Sequence, residues 1–317
     1  MKTIITRLLE AEKVGIFAHE NPDGDALGSS YSLKLVLQGM GKEAEVFLAE
    51  KPDVMPYSLV HGKESAGFLP AECDLLVAVD CAEVRRLAAY QELFKNHPNT
   101  IAIDHHITHV PYAKVQLVKD ISSCSEIMAE IYREMKISLT KEIAENLYLG
   151  MVCDTGRFQH QGVTSQTLRT AADLLDVGVS YAEISKKVFN TKSREYYALM
   201  QKALTNLQYY EEGKICVLYL SQEDFTAAGI EESGAGGIVT LPGSIDGVEV
   251  GVYIRQRGEG EYKVSLRSEG IVNVAEVAKA LGGGGHVCAS GYSVENKTVE
   301  ELVQEVLAVI RKQKNGE

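Results

Sequence analysis

Short apolar runs alternate with helical patterns through the first half of the chain, and this alternation restricts the fold more than any other feature. The run Leu75–Val79 is continuously apolar, which is typical of a strand buried on both faces of a parallel sheet. Residues 14–18, 44–48 and 100–103 have a similar character, and residues 25–38, 139–151 and 165–175 show helical spacing. We therefore predict a doubly wound α/β fold with a parallel sheet for this half.

The length of 317 residues suits two domains of about 150 residues each. We predict that residues 1–188 form the first domain and that residues 189–210, which lack strong turn residues, form a helical connector. Beyond it the pattern changes, with strands predicted at 215–220, 248–255 and 262–266 and helices at 273–280 and 298–311. Residues 211–317 are therefore predicted to be a second, smaller α/β domain.

Composition excludes several classes of protein. Acidic residues outnumber basic ones by 44 to 32, and a net charge of −12 argues against binding of duplex nucleic acid. The first 13 residues fit an amphipathic helix rather than a signal peptide, and no apolar run approaches the roughly 20 residues of a membrane span. The six cysteines are dispersed without a CxxC pair, which favours reduced thiols and a cytoplasmic location over disulfides.

Acidic and histidine residues follow the predicted strands and one helix. They are His19, Asp23 and Asp25 after the first strand, Asp80 after the third, Asp104, His105 and His106 after the fourth, and Asp154 after the helix 139–151. Because ligands of a parallel sheet bind outside the carboxyl ends of its strands, we expect these side chains to lie at one edge.

Taken singly, each of these residues has a structural explanation. Asp25 or Asp80 could cap the helix that follows, and a lone histidine after a strand is more often structural than a ligand. Together, converging carboxylates repel one another unless cations neutralise them. Mixed carboxylate and imidazole ligands suit Mn²⁺. Six of these residues are candidates for direct metal ligation, and this number suits two ions that share a bridging carboxylate: His19, Asp23, Asp25, Asp80, His105 and Asp154. Such a pair of ions serves the hydrolysis of phosphate esters or anhydrides.

A run of four glycines followed by His286 is the strongest signal in the second domain. Successive free N–H groups can bind an anion, although a glycine after a helix is also a common C-cap. Of the nearby cations, Arg267 is placed in this site. Arg255, Arg257 and Lys263 are expected to be solvated strand residues.

The ordered set of motifs resembles the DHH phosphoesterase superfamily. Asp104-His105-His106 is similar to the motif that gives the superfamily its name, and residues 265–268 with 282–286 resemble its DHHA1 domain. The length and two-domain plan look like the group of bifunctional oligoribonucleases and pAp phosphatases. The resemblance implies two Mn²⁺ ions and an active-site cleft between the domains. It also implies hydrolysis of short oligonucleotides and dinucleotides, and dephosphorylation of 3′-phosphoadenosine 5′-phosphate (pAp).

The resemblance also implies a role for each matching residue. His19 and Asp23 would bind one ion, Asp25, His105 and Asp154 the other, and Asp80 would bridge them. The implied catalytic residues are Asp80, Asp104 and His106, with His106 contacting the scissile phosphate. The implied substrate contacts are Ser122, Ser123 and Arg157 in the first domain and Arg267, Gly283, Gly284, Gly285 and His286 in the second. Cys124 stands where the family commonly has threonine.

Three other functions are compatible with parts of this pattern. A family II inorganic pyrophosphatase lacks the glycine run, and an exonuclease of the RecJ type carries additional nucleic-acid-binding domains. A non-catalytic nucleotide sensor has no need of six intact ligands. The predicted partners are short single-stranded oligonucleotides and nucleotide bisphosphates, with no duplex and no membrane. The sequence leaves open the preferred substrate, the polarity of cleavage, and whether the chain is a monomer or a homodimer.

Overall fold

The chain divides into two compact units, which are described separately. The computed structural model describes residues 1–50, 52, 54–65, 67–160 and 162–315. The first unit is Met1–Thr191 and the second is Lys192–Glu317. Within the described residues, no helix is both long and apolar enough to cross a membrane.

The first unit is built on a five-stranded parallel sheet. Its strands are β1 (Lys13–Phe17), β2 (Glu43–Phe47), β3 (Leu75–Val79), β4 (Thr100–Asp104) and β5 (Val115–Val118), in the order β2-β1-β3-β4-β5. Its α-helices are α1 (Lys2–Glu10), α2 (Gly24–Gly39), α3 (Val54–Tyr57), α4 (Gln91–Asn96), α5 (Cys124–Glu134), α6 (Lys141–Asp154), α7 (Ser165–Val177) and α8 (Tyr181–Ser185). Two 3₁₀ helices (Pro70–Glu72 and Val84–Tyr90) and a π-helical turn (Lys186–Asn190) complete the unit.

Both faces of this sheet are buried, which explains why β3 is apolar throughout. Leu75, Val77 and Val79 pack into a core shared with α2, α5 and α6. Leu76 and Ala78 point to the opposite face, where a smaller core contains Phe94 of α4. The predicted doubly wound α/β fold is therefore confirmed.

The second unit contains a six-stranded mixed sheet. Its strands are β6 (Leu207–Tyr210), β7 (Ile215–Leu220), β8 (Val250–Gly258), β9 (Glu261–Ser268), β10 (Gly284–His286) and β11 (Ala289–Val294), in the order β10-β11-β9-β8-β7-β6. Its α-helices are α9 (Arg194–Thr205), α10 (Gln222–Ala228), α11 (Val274–Ala280) and α12 (Val299–Asn315), with 3₁₀ helices at Glu232–Ala235 and Ile238–Ser244. Only β7 and β8 pair in parallel.

The predicted helical connector differs most from the structure. Within the predicted connector 189–210, helix α9 ends at Thr205 and residues Leu207–Tyr210 form β6, which pairs antiparallel with β7. Asn206 lies between the two elements and donates a side-chain hydrogen bond to the carbonyl of Tyr219 on β7. This bond and the pairing with β7 place the end of the stretch in the second sheet.

Candidate metal centre

The carboxyl ends of the strands bring the predicted acidic and histidine side chains together. His19 and Asp23 follow β1, Asp80 follows β3, and Asp104 ends β4. Asp154 is the last residue of α6, and Asp25 lies in the first turn of α2. The N-cap of α2 is Asp23, whose Oδ1 accepts hydrogen bonds from the backbone N–H groups of Asp25 and Ala26. The suggestion that Asp25 is the cap is therefore wrong.

Asp80 lies at the centre of the cluster. Its side chain is only 2% exposed, and its Oδ1 has no hydrogen-bond partner among the described residues. Burial raises the pKa of Asp80 well above its ordinary value, and the charges of Asp25 and Asp23 raise it further. The residue also has a φ of 57°, a conformation that non-glycine residues seldom adopt. A buried carboxylate oxygen without a partner, held in a strained backbone, fits a cation ligand.

Asp25 is held by the N-terminus of a second helix. Its Oδ2 accepts a hydrogen bond from the backbone N–H of Cys124 at 2.6 Å, and its Oδ1 accepts one from Ser125 at 2.9 Å. Burial and the nearby charge of Asp154 nevertheless raise the pKa of Asp25 to about 7. The carboxylate is therefore oriented by α5 but lacks a full counter-charge.

Two histidines present Nε2 to the carboxylates. Nδ1 of His105 donates a hydrogen bond to the carbonyl of Ile121 at 3.0 Å. Its Nε2 lies 3.4 Å from Asp80 Oδ1 and 3.4 Å from Asp154 Oδ2. Nδ1 of His19 lies 2.6 Å from the carbonyl oxygen of Glu20 and 3.1 Å from Nη2 of Arg86. Its Nε2 lies 3.9 Å from Asp80 Oδ2. Burial lowers the pKa of His19, and the nearby charge of Arg86 also favours the neutral ring. A neutral imidazole whose other nitrogen donates to a carbonyl is the usual metal-ligating form.

The donor atoms fall into two main groups. One consists of His19, Asp23 and Asp80, and the other of Asp25, His105 and Asp154, with all candidate atoms of each group within 4.8 Å of one another. Burial raises the pKa of Asp154 too, as expected where carboxylates lack cations. This mixture of carboxylate oxygens and imidazole nitrogens fits divalent cations of the Mn²⁺ type.

His106 stands apart from both groups because its Nδ1 is already engaged. This nitrogen donates to Asp104 Oδ1 at 2.7 Å and lies 3.7 Å from Asp80 Oδ1. Although His106 can be grouped with Asp80 and His105 as a ligand set, the short bond to Asp104 favours another task for the ring. That bond raises the pKa of His106.

Asp104 is fully buried and holds two rings rather than reaching a substrate. Burial alone would raise its pKa, but the hydrogen bonds from His106 and His109 outweigh this and hold the pKa below its ordinary value. His109 was missed in the sequence. Its Nδ1 donates to Asp104 Oδ2 at 2.6 Å, and its Nε2 lies 2.9 Å from Gln116 Oε1. A third histidine shortly after the motif was the available signal. Asp104 is thus a positioning residue rather than the catalytic one predicted.

Two predicted substrate contacts have structural tasks. Ser123 is fully buried, and its hydroxyl caps α5 by accepting a hydrogen bond from the N–H of Glu126, so it has no surface to offer a ligand. Ser122 donates to Glu126 Oε2 at 2.6 Å. Arg157 is exposed, and its guanidinium lies 4.9 Å from the ring centre of Phe189. It remains a predicted contact.

The glycine run of the second unit is shaped largely by packing. Gly282 follows α11 with a φ of +83°, and the N–H groups of Gly282 and Gly283 bond back to Lys279 and Ala278 in a Schellman motif. A Cβ on Gly283 would lie 2.2 Å from the carbonyl oxygen of Gly291, and one on Gly285 would lie 2.5 Å from Ser290 Cα. A Cβ on Gly284 would meet nothing within 4 Å. The close approach expected from this run is therefore to β11.

Arg267 and His286 occupy the same row of the second sheet. Both are in register with Ala289, so they lie on one face with a strand between them. His286 is exposed and Arg267 is half-buried. Arg255 was expected to be solvated but is only 6% exposed, because it pairs with Glu232 and lines a cavity with Arg267.

A parallel-sheet domain with acidic and histidine side chains at its strand ends, followed by a mixed-sheet domain, is the plan of a two-domain phosphoesterase. Residues 13–151 match the N-terminal domain of the DHH family, and residues 212–314 match the DHHA1 domain. The chain therefore belongs to the DHH phosphoesterase family, as its motifs indicated.

Relatives align over nearly the whole chain. The bifunctional oligoribonuclease and PAP phosphatase NrnA of Thermus thermophilus is 31% identical, covering 98% of this chain and 93% of the relative. A probable protein of the same name from Streptococcus mutans is 30% identical, covering 96% of this chain and 98% of the relative. Both domains are thus shared with these relatives.

Solved structures have the same fold. An exopolyphosphatase-related protein from Bacteroides fragilis is 27% identical with a TM-score of 0.88, covering 99% of this chain and 97% of that one. An exonuclease RecJ bound to manganese is 16% identical with a TM-score of 0.57, covering 99% of this chain and 94% of that one. The second comparison supports the fold alone.

Proposed function

We propose that this chain is a two-metal phosphoesterase that hydrolyses short oligonucleotides to mononucleotides and removes the 3′-phosphate of pAp. The carrying observation is the unpartnered, fully buried Oδ1 of Asp80 between two groups of candidate ligands. The names of the relatives, oligoribonuclease and PAP phosphatase, supply the substrate class.

The residues of the site divide the work of metal binding between them. His19 and Asp23 would hold one cation, Asp25, His105 and Asp154 would hold the other, and Asp80 would contribute to both. When bound, such a pair activates water for attack and neutralises charge on the phosphate. Asp25 and His105 are oriented by backbone groups of α5 and of Ile121, so their donor atoms are preorganised. Mn²⁺ is proposed as the cation, in keeping with the donor set and with the manganese named for the RecJ structure.

His106 handles the proton of the leaving group. Its Nδ1–H donates to buried Asp104, which fixes the ring and leaves Nε2 for the substrate. The hydrogen bond that His106 donates to Asp104 raises the pKa of His106, so a larger fraction of the ring carries the second proton near neutral pH. In the proposed reaction Nε2–H contacts the scissile phosphate and donates its proton to the departing oxygen.

The second domain binds a phosphate of the substrate. Arg267 and His286 share one face of its sheet and supply a guanidinium and an imidazole. Gly284 adds an open backbone position beside them. Because a net charge of −12 disfavours the binding of long nucleic acid, short substrates are preferred. A cytoplasmic location accords with the free cysteines.

The experiment uses the full chain after treatment with EDTA and reloading with Mn²⁺. We expect hydrolysis of pAp and of the dinucleotide pApA, with much slower release from a 24-residue RNA. Asp80→Asn should lower kcat by roughly 10³-fold, because removing metal ligation costs several kcal/mol of transition-state stabilisation. Asp173→Asn, which removes an exposed carboxylate that pairs with Arg133, is the matched control. Turnover that survives EDTA, or preference for the 24-residue RNA, would contradict the proposal.

A further inference from the structure

One face of the second sheet carries a basic cavity that the sequence did not indicate. The cavity has a volume of about 270 Å³, and Arg255, Lys263 and Arg267 line it together with Tyr253 and Ser265. We call it the basic cavity. All of its lining residues belong to the second unit.

The pairing of β8 with β9 explains how these cations come together. Arg255 is opposite Lys263, and Gly251 is opposite Arg267, so all three cations project from one face. Arg267 lies four residues from Lys263 along β9, a distance of roughly 14 Å between backbone positions. The guanidinium of Arg267 also donates a hydrogen bond to the carbonyl of Leu266. This bond keeps the guanidinium near its own backbone and away from Lys263. The cavity therefore has two separate cationic ends.

Arg255 has an unmet hydrogen-bond requirement. Its side chain is more than nine-tenths buried, with Nη1 paired to Glu232. Its Nη2 is buried and has no hydrogen-bond partner among the described residues. A buried guanidinium N–H without an acceptor is costly, so this nitrogen fits an anion that enters from outside.

The charge around Arg255 is not balanced by the protein. Arg257, Lys263 and Arg267 form no ion pair with any described residue, whereas Glu231 and Glu232 are the carboxylates that line this cavity and the one adjoining it. Burial lowers the pKa of Lys263, and the charges of Arg257 and Arg255 lower it further. Positive charge thus accumulates locally on a chain whose net charge is −12.

We propose that the basic cavity is a two-phosphate site, in which Arg267 binds one phosphate of a short single strand and Arg255 with Lys263 binds a further phosphate of the same strand. The strand as ligand rests on the proposed function. Phe225, which lines the cavity, offers an aromatic surface to the nucleoside between the phosphates. The pair Arg255–Lys263 therefore selects substrates longer than a single nucleotide.

The test compares two substrates on the Mn²⁺-loaded full chain. The ratio of kcat/KM for 5′-phosphorylated triadenylate to kcat/KM for pAp is measured for wild type and for Lys263→Gln. We expect this ratio to fall about tenfold, since a charge-assisted hydrogen bond is lost on the longer substrate. Lys263→Arg should restore it, and Lys312→Gln, at an exposed position of α12, should leave it at the wild-type value. Lys263 is chosen because Arg255 is buried and its replacement could unfold the domain.

The outcomes are separable from those of the proposed function. A ratio that does not change in Lys263→Gln, or equal losses on both substrates, overturns the two-phosphate site. If wild type hydrolyses neither substrate, the proposed function fails, and calorimetry on the EDTA-treated chain still tests the cavity. There, triadenylate binding that is about tenfold weaker in Lys263→Gln supports the site. If the chain binds ADP but not triadenylate, and this binding depends on Lys263, the ligand of the basic cavity is a free nucleotide and the proposal of a single strand is wrong.

Discussion

Asp104 lies behind His106 and accepts a hydrogen bond from its Nδ1 at 2.7 Å. The other oxygen of Asp104, Oδ2, accepts a hydrogen bond from His109. Each carboxylate oxygen of Asp104 is therefore bonded to one histidine ring. The carboxylate is fully buried and cannot reach a substrate. In the proposed reaction Asp104 would therefore act through the orientation and charge of His106.

Replacing Asp104 with Asn is expected to lower kcat by roughly 10–100-fold, as is common for residues that orient a catalytic or ligating histidine. It should also move the pH profile. Asp104 raises the pKa of His106, so its removal lowers that pKa. If the protonated ring donates to the leaving group, activity is lost as pH rises through this pKa, and the alkaline limb should shift to lower pH. Steady-state kinetics across pH measure both effects.

The matched control for this change is Asp173→Asn, which removes an exposed carboxylate and should leave kcat and the profile at their wild-type values. A fall in kcat with no movement of the alkaline limb would show that Asp104 has only a structural role.

Asp80→Asn is expected to stabilise the metal-free protein although it lowers kcat by roughly 10³-fold. The substitution removes a buried charge that Asp25, Asp23 and Asp154 oppose, and asparagine tolerates the positive φ of this position. We expect the free energy of unfolding in EDTA to rise by roughly 0.5–2 kcal/mol. The melting temperature is measured with EDTA and with Mn²⁺. Stabilisation by Mn²⁺ that is as large in the variant as in wild type would contradict a shared ligand at Asp80.

The metal-free protein should lose stability as pH rises. Asp25, Asp80 and Asp154 have pKa values above their ordinary range, so the folded chain binds more protons than the unfolded chain between those values. The free energy of unfolding then falls with pH, and for Asp25 the window runs from 3.8 to about 7. Melting curves in EDTA at pH 5.5 and pH 8 test this.

The control for the pH experiment is the double variant Asp25→Asn/Asp80→Asn, which should show a smaller decrease between the two pH values. Mn²⁺ should stabilise wild type more at pH 8 than at pH 5.5, because cations and protons compete for the same oxygens. If wild type and the double variant show the same dependence on pH in EDTA, the cluster is not its cause.

The metal cluster could be predicted from sequence because the carboxyl ends of parallel strands meet at one edge. Once β1, β3 and β4 are identified, the positions of His19, Asp80 and His105 follow. The role of Asp23 as the cap of α2 does not follow, because it depends on where the chain turns after β1.

Other features depend on contacts between distant segments. Arg255 is buried because it pairs with Glu232, which comes from a separate 3₁₀ helix. The sequence around Arg255 does not show this distant partner, and a basic residue in a strand was therefore expected to be exposed to solvent. The strand β10 contains two glycines and three residues in all, so it has almost no side-chain pattern to detect. Helix α5, by contrast, carried an apolar pattern at helical spacing that was overlooked.

The glycine run allows packing and phosphate binding to be separated. Gly283→Ala and Gly285→Ala should destabilise the second unit by roughly 1–3 kcal/mol, because the added Cβ meets the backbone of β11 and Gly285 also has a φ of +144°. Gly284→Ala should leave stability nearly unchanged, since its Cβ would meet nothing within 4 Å. Denaturant unfolding measures the three variants.

If the N–H groups near Gly284 contact a substrate phosphate, a methyl group at this open position should raise KM for pAp while kcat and stability stay close to wild type. Gly282→Ala is the less suitable variant, because its φ of +83° strains any side chain whatever space surrounds it. A KM for Gly284→Ala that equals the wild-type value would remove the glycine run from the substrate site. In that case the close pairing of Gly283 and Gly285 with β11 would fully account for these glycines.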